Sequence, residues 1–246
     1  MNYYKKNISV IEKLNKEFSD KLQKDKNETH EGVEIISTTN FLVKEGSKAL
    51  LAYPKGKEND GFNEVIKNIK LENGECTVII GVGNGYSLNK LLKTMSSDHL
   101  ILLIEPISQL LNLALTEYDL SSYLEKGKLF ICNDKESLPS IFQFIESQKV
   151  IQLWHTIIEN YTVFLNKYYG EVTKFAIDLI NQLMTNVGTV IGAGKIIAEN
   201  DIKNLPYVIK HRGVNDLRDL YKGKPAVIIA SAKTVLELIP FLIEKP

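Results

Sequence analysis

The sequence has few cysteines, and neither of them lies in a metal-binding pattern. Cys76 and Cys132 each fall within an apolar run typical of a β-strand. We interpret both as buried thiols rather than as a disulfide. The sequence has no Cys-x-x-Cys pair and no cluster of cysteine and histidine, so we expect no metal site.

Long apolar runs and an excess of charge of one sign are also lacking. No run of about 18 apolar residues occurs, and the N-terminus has no apolar segment long enough for a signal peptide. Lysine plus arginine total 30, and aspartate plus glutamate total 30, so the formal net charge is zero. This balance gives no general attraction to nucleic acids or anionic membranes. We therefore expect a cytoplasmic protein that binds neither.

The motifs of several enzyme classes are absent as well. The sequence contains no Gly-x-Ser-x-Gly, no P-loop and no His-Glu-x-x-His. His155 lies at the end of the fourth predicted strand, where α/β sheets place ligand contacts. It has no evident partner in the sequence, so we interpret it as structural, and Trp154 as a core residue.

Hydrophobic periodicity divides the chain into successive segments. Apolar residues at helical spacing predict an amphipathic helix over 8–25, and a β-rich stretch over 33–53, with a turn near Glu45 and Gly46, predicts a hairpin. The predicted segments are 1–60, a helix and hairpin region; 61–160, a Rossmann-like domain; 161–222, a helical connector; and 223–246, the first strand and helix of a second α/β unit.

Strands and helices alternate within the second segment. Four apolar runs, 76–80, 99–105, 128–132 and 149–154, are separated by helical patterns. Runs that are apolar on both faces are typical of a parallel sheet covered by helices. Crossovers between parallel strands are right-handed, so we predict a Rossmann-like, doubly wound α/β fold with a mostly parallel sheet. A small α+β region precedes this domain.

The connector contains three closely spaced glycines. Apolar residues recur at helical spacing from 157 to 184. The helical pattern then continues, with interruptions at Gly188, Gly192 and Gly194. No strand precedes these glycines, so we interpret them as close helix packing or as a helix break rather than as a second ligand loop. Pro206 then introduces a connecting stretch.

A glycine-rich loop follows the first buried strand and opens a helix. Glycine permits a sharp turn and a close ligand approach, and the amides of a helix N-terminus favour an anion or a polar group. Tyr86 stands where the dinucleotide fingerprint has its last glycine, which favours a methyltransferase-like nucleoside loop over an NAD loop. An acidic residue ends the second strand and is placed to reach a ribose hydroxyl. We therefore predict a nucleotide site formed by Gly81, Gly83, Asn84, Gly85 and Glu105.

A purely structural interpretation of these residues is also open. The glycines would then serve only the turn from strand to helix, and Glu105 would cap the helix that follows Pro106. Enzymes that use S-adenosylmethionine usually carry an acidic residue two positions before the first glycine, where this chain has Ile79. S-adenosylmethionine is therefore the less favoured cofactor.

Three stretches in order resemble one protein family. They are "VIIGVGNGYSLNKLL" with "LILLIEP" behind it, "AENDIKNLPYV" after a long helical segment, and "YKGKPAVIIASA". Together they resemble the motility-associated-factor (Maf) family of bacterial flagellin glycosyltransferases. The central domain of that family is related to 6-hydroxymethylpterin pyrophosphokinase-like proteins. The resemblance covers roughly residues 61–232.

The resemblance implies a layout and an activity. Members have an N-terminal Rossmann-like domain, a central domain with a sialyltransferase-like fold and a helical C-terminal part. The central domain transfers a nonulosonic acid from a CMP-sugar to serine or threonine of flagellin. The resemblance thus implies a CMP-sugar as donor, flagellin as partner, and 223–246 as the start of a truncated central domain. A homo-oligomer is a further expectation.

This sequence departs from the family where the central domain begins. The family reads "GKPAxIxxxGPSL" there, and this chain follows "GKPAVIIAS" with Ala232, Lys233, Thr234 and Val235. Without the glycine, close backbone approach to a phosphate is harder, although Ser231, Lys233 and Thr234 offer groups that bind anions. Three functions therefore stay open: a Maf-type transferase or its N-terminal portion, a non-catalytic binding or scaffold module, and a methyltransferase-like protein.

Overall fold

The protein is a mixed α/β chain with two compact units, Met1–Val190 and Ile191–Pro246. The finer division into four segments stays a prediction. The computed structural model describes residues 2–37, 40–52, 75–148 and 153–210, with Asp219, Lys222 and Gly223.

The N-terminal helical region is broken at Asn15. Helix α1 (Tyr4–Leu14) ends there, and helix α2 (Lys16–Lys24) begins immediately afterwards. Asn15 has extended backbone angles, φ −153° and ψ 95°, and its side chain accepts a hydrogen bond from the backbone N–H of Phe18 at 3.0 Å. The single helix predicted over 8–25 was therefore wrong in its continuity, because asparagine caps a new helix more readily than it continues one.

A small antiparallel sheet follows, as the hairpin pattern predicted. Its strand order is β1-β2-β3, and the hairpin turn consists of Gly46 and Ser47, next to the predicted position, with Gly46 at φ 57°. Phe41 and Val43 of the central strand are fully buried. The three strands are β1 (Val33–Ile35), β2 (Phe41–Glu45) and β3 (Lys48–Ala52).

The second sheet of the first unit has four strands, all parallel, in the order β6-β5-β4-β7. All five residues of β5 are buried, as expected for a strand covered on both faces. This parallel sheet confirms the predicted α/β class and is compatible with a Rossmann-like fold. The strands are β4 (Glu75–Ile80), β5 (Leu100–Ile104), β6 (Leu129–Cys132) and β7 (Leu153–Ile158).

Helices connect these strands and supply much of the core. The start of the chain is tied to them by Asn7, whose side-chain amide donates to the carbonyls of Leu115 and Tyr118, each at 2.7 Å. The amide oxygen of Asn7 accepts the N–H of Leu120 at 2.9 Å. The connecting helices are α3 (Tyr86–Thr94), α4 (Ser108–Glu117), α5 (Ser121–Glu125) and α6 (Leu138–Gln148).

The fourth strand lies later in the chain than the sequence suggested. It was predicted over 149–154, whereas β7 begins at Leu153, and residues 149–152 lie outside the described part of the chain. His155 is therefore the third residue of β7, paired in register with Thr77, and not the residue that ends the strand. The expected place of His155 at the ligand-binding edge was wrong.

A short 3₁₀ helix, Asn160–Leu165, follows β7 and is called the covering helix below. Helix α7 (Asn166–Lys210) then continues without interruption and includes Pro206. A Cβ atom built on Gly188, Gly192 or Gly194 would meet no atom of the described residues within 4 Å. In that part of the chain these glycines therefore mark neither close packing nor a break. Each costs a helix only about 1 kcal/mol relative to alanine, which does not end a helix by itself.

The described helices also bear on membrane insertion. Among the residues that the structure describes, no helix combines the length and the apolar character needed to cross a bilayer. Both cysteines are buried and free, as predicted, and Trp154 is a core residue at 6% exposure.

Candidate functional site

The glycine loop leaves the sheet at its topological switch point. Strand β4 has β5 on one side and β7 on the other, so the chain order reverses there. Open α/β sheets bind ligands outside the carboxyl ends of the strands at such a point. The sequence therefore placed the candidate loop at the edge where a ligand is expected.

The backbone of the loop needs its glycines. Gly81, Gly83 and Gly85 have φ values of 91°, 58° and 82°, in the region that residues with a Cβ rarely adopt. The N–H of Gly85 donates to the carbonyl of Val82 at 2.9 Å, and the side-chain oxygen of Asn84 accepts the N–H of Tyr86 at 3.0 Å. The loop is a tight turn into α3, as the glycine spacing predicted.

The loop is covered instead of open. The backbone N–H of Gly83 donates to the hydroxyl of Tyr161 at 2.9 Å. A Cβ built on Gly81 would lie 2.8 Å from that hydroxyl and 2.9 Å from Cγ2 of Thr162. Residues 81–85 are all buried. The predicted nucleotide site needs an open loop, but the chain after β7 folds back as the covering helix and fills that space.

The other side of the loop is closed by α4 and the residue after it. A Cβ built on Gly85 would lie 2.8 Å from Cδ2 of Tyr118 and 2.9 Å from the Cβ of Ala114. Glycine at this position thus allows close contact with a neighbouring element of the same chain. The same property was expected to admit a ligand.

Glu105 directly follows β5 and is completely enclosed, at 0% exposure. Its Oε2 accepts the N–H of Val82 at 2.8 Å and the hydroxyl of Tyr161 at 3.2 Å. Its Oε1 accepts the N–H of Ile107 at 2.9 Å and the hydroxyl of Tyr169 at 2.6 Å. Both carboxyl oxygens therefore have two internal donors, where the sequence had suggested a group turned toward a ribose.

Burial has the largest effect on the pKa of the Glu105 carboxyl group. Removing Glu105 from water raises its pKa from 4.5 to about 7, and the hydrogen bonds from Tyr169, Val82, Ile107 and Tyr161 oppose that rise. Ionised and protonated forms are therefore both populated near neutral pH. The group is a buried titratable centre at the sheet edge.

Tyr161 and Tyr169 are the residues that sequence reasoning missed. Their hydroxyl oxygens are 3.4 Å apart, and both rings are nearly fully buried. Phe41 of β2 packs edge-on against Tyr161 with ring centroids 5.1 Å apart, so the N-terminal sheet supports the covering helix. The sequence signal for them is the presence of two tyrosines soon after the fourth strand, near the sheet edge that carries the glycine loop and Glu105.

Other polar residues of the parallel sheet lie nearer the amino ends of its strands. His155 Nε2 is 3.1 Å from Oε2 of Glu75, so the histidine that seemed partnerless has a carboxylate partner. The hydroxyl of Thr77 is 2.9 Å from Nε2 of His99, and both residues are fully buried. Among the described residues, no group of three or more His, Cys, Asp or Glu side chains could hold a metal ion.

A polar cavity of about 200 Å³ lies at the carboxyl end of β6, away from the switch point. Lys21 of α2 and Asp134 line it, with 3.7 Å between the Nζ and Oδ2 atoms. Asp134 also accepts the N–H of Ser137 at 2.8 Å. Lys21 and Asp134 thus form an ion pair beside this cavity, and none of its lining residues belongs to the glycine loop.

No family model, curated protein or solved structure matches this chain. The function of the site must therefore be inferred from its own geometry. The structure brings the glycine loop and Glu105 to one edge, as predicted, and their polar groups face inward. Oε1 of Glu105 accepts the backbone N–H of Ile107, the residue before α4, and the interpretation of Glu105 as a cap of that helix stays a prediction. Ligand contacts by Gly81, Gly83, Asn84, Gly85 and Glu105 stay predictions, and Ser231, Lys233 and Thr234 lie outside the described residues.

Proposed function

We propose that this chain is the N-terminal portion of a Maf-type flagellin glycosyltransferase and that its first unit is a non-catalytic scaffold. The three ordered stretches that resemble the family support the family assignment. The parallel sheet would then be the core of the Rossmann-like, doubly wound domain that begins such proteins. Flagellin is the proposed partner, and self-association of the chain is a second proposed interaction.

One observation carries the scaffold role: the hydroxyl of Tyr161 bonds both the N–H of Gly83 and a carboxyl oxygen of Glu105. A nucleoside in a Rossmann-like site would use the same loop and the same acidic residue. Here an internal side chain satisfies both groups, and they are shielded from water. A ligand would have to replace Tyr161 and recover its hydrogen bonds before it gained any affinity.

The donor sugar nucleotide would bind outside the first unit. Under this proposal, Ser231, Lys233 and Thr234 approach the phosphate of a CMP-sugar where the family has its glycine-containing loop. Inverting sugar transfer of this kind depends on positioning the acceptor and on stabilising the phosphate that leaves. The first unit would contribute by holding the acceptor protein and not by chemistry.

Calorimetry on the full chain with CMP and with S-adenosylmethionine tests this assignment. We expect no micromolar binding of S-adenosylmethionine. Any binding of CMP should fall at least tenfold in Lys233→Ala and survive in a folded Gly83→Val variant. Micromolar binding of S-adenosylmethionine, or loss of CMP binding in folded Gly83→Val alone, would place a nucleotide in the glycine loop and refute the scaffold role.

Titration with purified monomeric flagellin tests the partner. We expect binding by the full chain that survives in Lys233→Ala, since the acceptor would contact the first unit. A chain that binds neither flagellin nor CMP would refute the family assignment. The neighbourhood of the gene gives an independent test, because genes for flagellin or for nonulosonic acid synthesis are expected beside it.

A further inference from the structure

We propose that Glu105, Tyr161 and Tyr169 form a pH-responsive joint that fastens the first turn of α7 to the carboxyl end of β5. The inference does not depend on the proposed glycosylation role. It concerns how the long helix that leads out of the first unit is held. We call these three residues the joint.

The joint connects three separate elements. Glu105 follows β5, Tyr161 lies in the covering helix, and Tyr169 is the fourth residue of α7. The Tyr169 hydroxyl is 2.6 Å from Oε1 of Glu105, and the Tyr161 hydroxyl is 3.2 Å from Oε2. Because the two hydroxyl oxygens are also 3.4 Å apart, the two tyrosines and the carboxyl group form a closed ring of polar atoms.

This ring can satisfy its groups in either protonation state. When Glu105 is ionised, both tyrosine hydroxyls donate to the carboxylate, as do the N–H groups of Val82 and Ile107. When a proton from water binds Oε1, that O–H donates to Tyr169, Tyr169 donates to Tyr161, and Tyr161 donates to Oε2. Only the hydroxyl hydrogens rotate, and hydroxyl groups both donate and accept. Proton uptake therefore leaves no polar atom of the joint without a partner.

Burial favours the protonated state of the Glu105 carboxyl, whereas the hydrogen-bond donors around it favour the ionised state. Peptide N–H groups face it from the glycine loop and from the start of α4, and tyrosine hydroxyls face it from the covering helix and α7. The apolar ring of Phe41 backs Tyr161 from β2. Two further titratable residues at this edge are acidic: Glu159 lies beside Gly81, and Asp25 reaches Ser108 of α4 at 3.5 Å. Burial raises the pKa of Glu105 to about 7.

The joint should therefore hold α7 more tightly at low pH. Opening it exposes Glu105 to water, where its pKa returns to 4.5. The closed form gains from a bound proton below about pH 7, and this gain is lost as pH rises through that value. Between pH 6 and pH 8 the equilibrium constant for opening should rise about tenfold, from the difference between the two pKa values.

Hydrogen exchange of the full chain at pH 6 and pH 8, corrected for intrinsic exchange rates, tests the joint. Amides of residues 169–176 should lose about tenfold protection at pH 8. Glu105→Gln should abolish this difference, whereas Glu171→Gln, an exposed glutamate in the same part of α7, should keep it. Equal protection at the two pH values, or a difference that persists in Glu105→Gln, would overturn the proposal.

A second measurement covers the case in which Glu105→Gln fails to fold. The infrared absorption of a protonated, buried carboxyl group should be present in the unmodified protein at pH 6 and disappear with a midpoint near pH 7. Tyr169→Phe should shift that absorption, because it removes the hydroxyl oxygen that accepts the Oε1–H of the protonated carboxyl. Absence of the absorption at pH 6 would overturn the proposal without any variant.

Discussion

The hydroxyl of Tyr161 lies 2.9 Å from the backbone nitrogen of Gly83 and accepts its hydrogen bond inside the buried glycine loop. The same hydroxyl donates to Glu105. One side chain thus joins the glycine loop, the end of β5 and the covering helix. Removing the Tyr161 hydroxyl should lower the stability of the protein, because the groups that it bonds have no access to water.

Tyr161→Phe should lower the free energy of unfolding by about 1–3 kcal/mol. The substitution keeps the ring against Phe41 and removes only the hydroxyl, which leaves the N–H of Gly83 buried without its partner. Urea denaturation measures the change. Tyr168→Phe is the matched control, because Tyr168 is a more exposed neighbour with a 3.4 Å bond to the carbonyl of Glu31. Equal effects of the two variants would contradict the role given to Tyr161.

Gly81→Ala should destabilise the protein by roughly 2–4 kcal/mol. An alanine there must adopt φ near 91° and bring its Cβ to 2.8 Å from the Tyr161 hydroxyl. Gly188→Ala is the control, since its added Cβ meets nothing within 4 Å in a continuous helix. The control should be stabilising by up to about 1 kcal/mol. The melting temperatures of the two variants should shift in opposite directions. Shifts in the same direction would contradict the loop conformation described for Gly81.

The stability of the whole protein should depend on the ionisation of Glu105. Its pKa is raised from 4.5 to about 7 on folding, so the folded state binds the proton more tightly. The associated stabilisation is full below about pH 4.5 and is lost as pH rises toward 7; it amounts to about 3 kcal/mol. The difference in unfolding free energy between the unmodified protein and Glu105→Gln should therefore change by about 2.5 kcal/mol from pH 5 to pH 8. A difference that is constant over this range would contradict the raised pKa.

Asn7→Ala should destabilise the protein by about 2–4 kcal/mol. Asn7 is 0% exposed and satisfies the carbonyls of Leu115 and Tyr118 and the N–H of Leu120. Its removal leaves three backbone groups unpaired in the interior. Guanidinium denaturation measures the loss, with Asn181→Ala, an exposed position on α7, as the control. Similar midpoints for the two variants would show that the N-terminal helix is not fastened in this way.

The sheet could be predicted well because burial on both faces leaves a clear pattern. The runs around β4, β5 and β6 were located within one residue at each end, since each is a continuous apolar stretch between turns. The strand β7 was displaced because "KVIQLWHTII" is apolar over a longer span than one strand needs. Periodicity alone cannot decide which part of such a span pairs with β4.

The closure of the candidate site could not be predicted for a different reason. Glycine at Gly81 and Gly83 is required equally by a loop that receives a ligand and by one that receives a tyrosine. The choice depends on Tyr161, which lies 78 positions from Gly83, and on the path of the chain after β7. Local patterns carry no information about such a distant contact. The helix break at Asn15 was, by contrast, visible as a capping residue.

The bond between Glu105 and Tyr169 spans 64 positions of the chain, and that between Gly83 and Tyr161 spans 78. During synthesis, the strands β4, β5 and β6 are made before either tyrosine. A nascent chain that ends ahead of the covering helix must therefore keep its acidic residue and its glycine turn hydrated. The sheet edge can therefore be closed only after the covering helix and the first turn of α7 have been made and have packed against it.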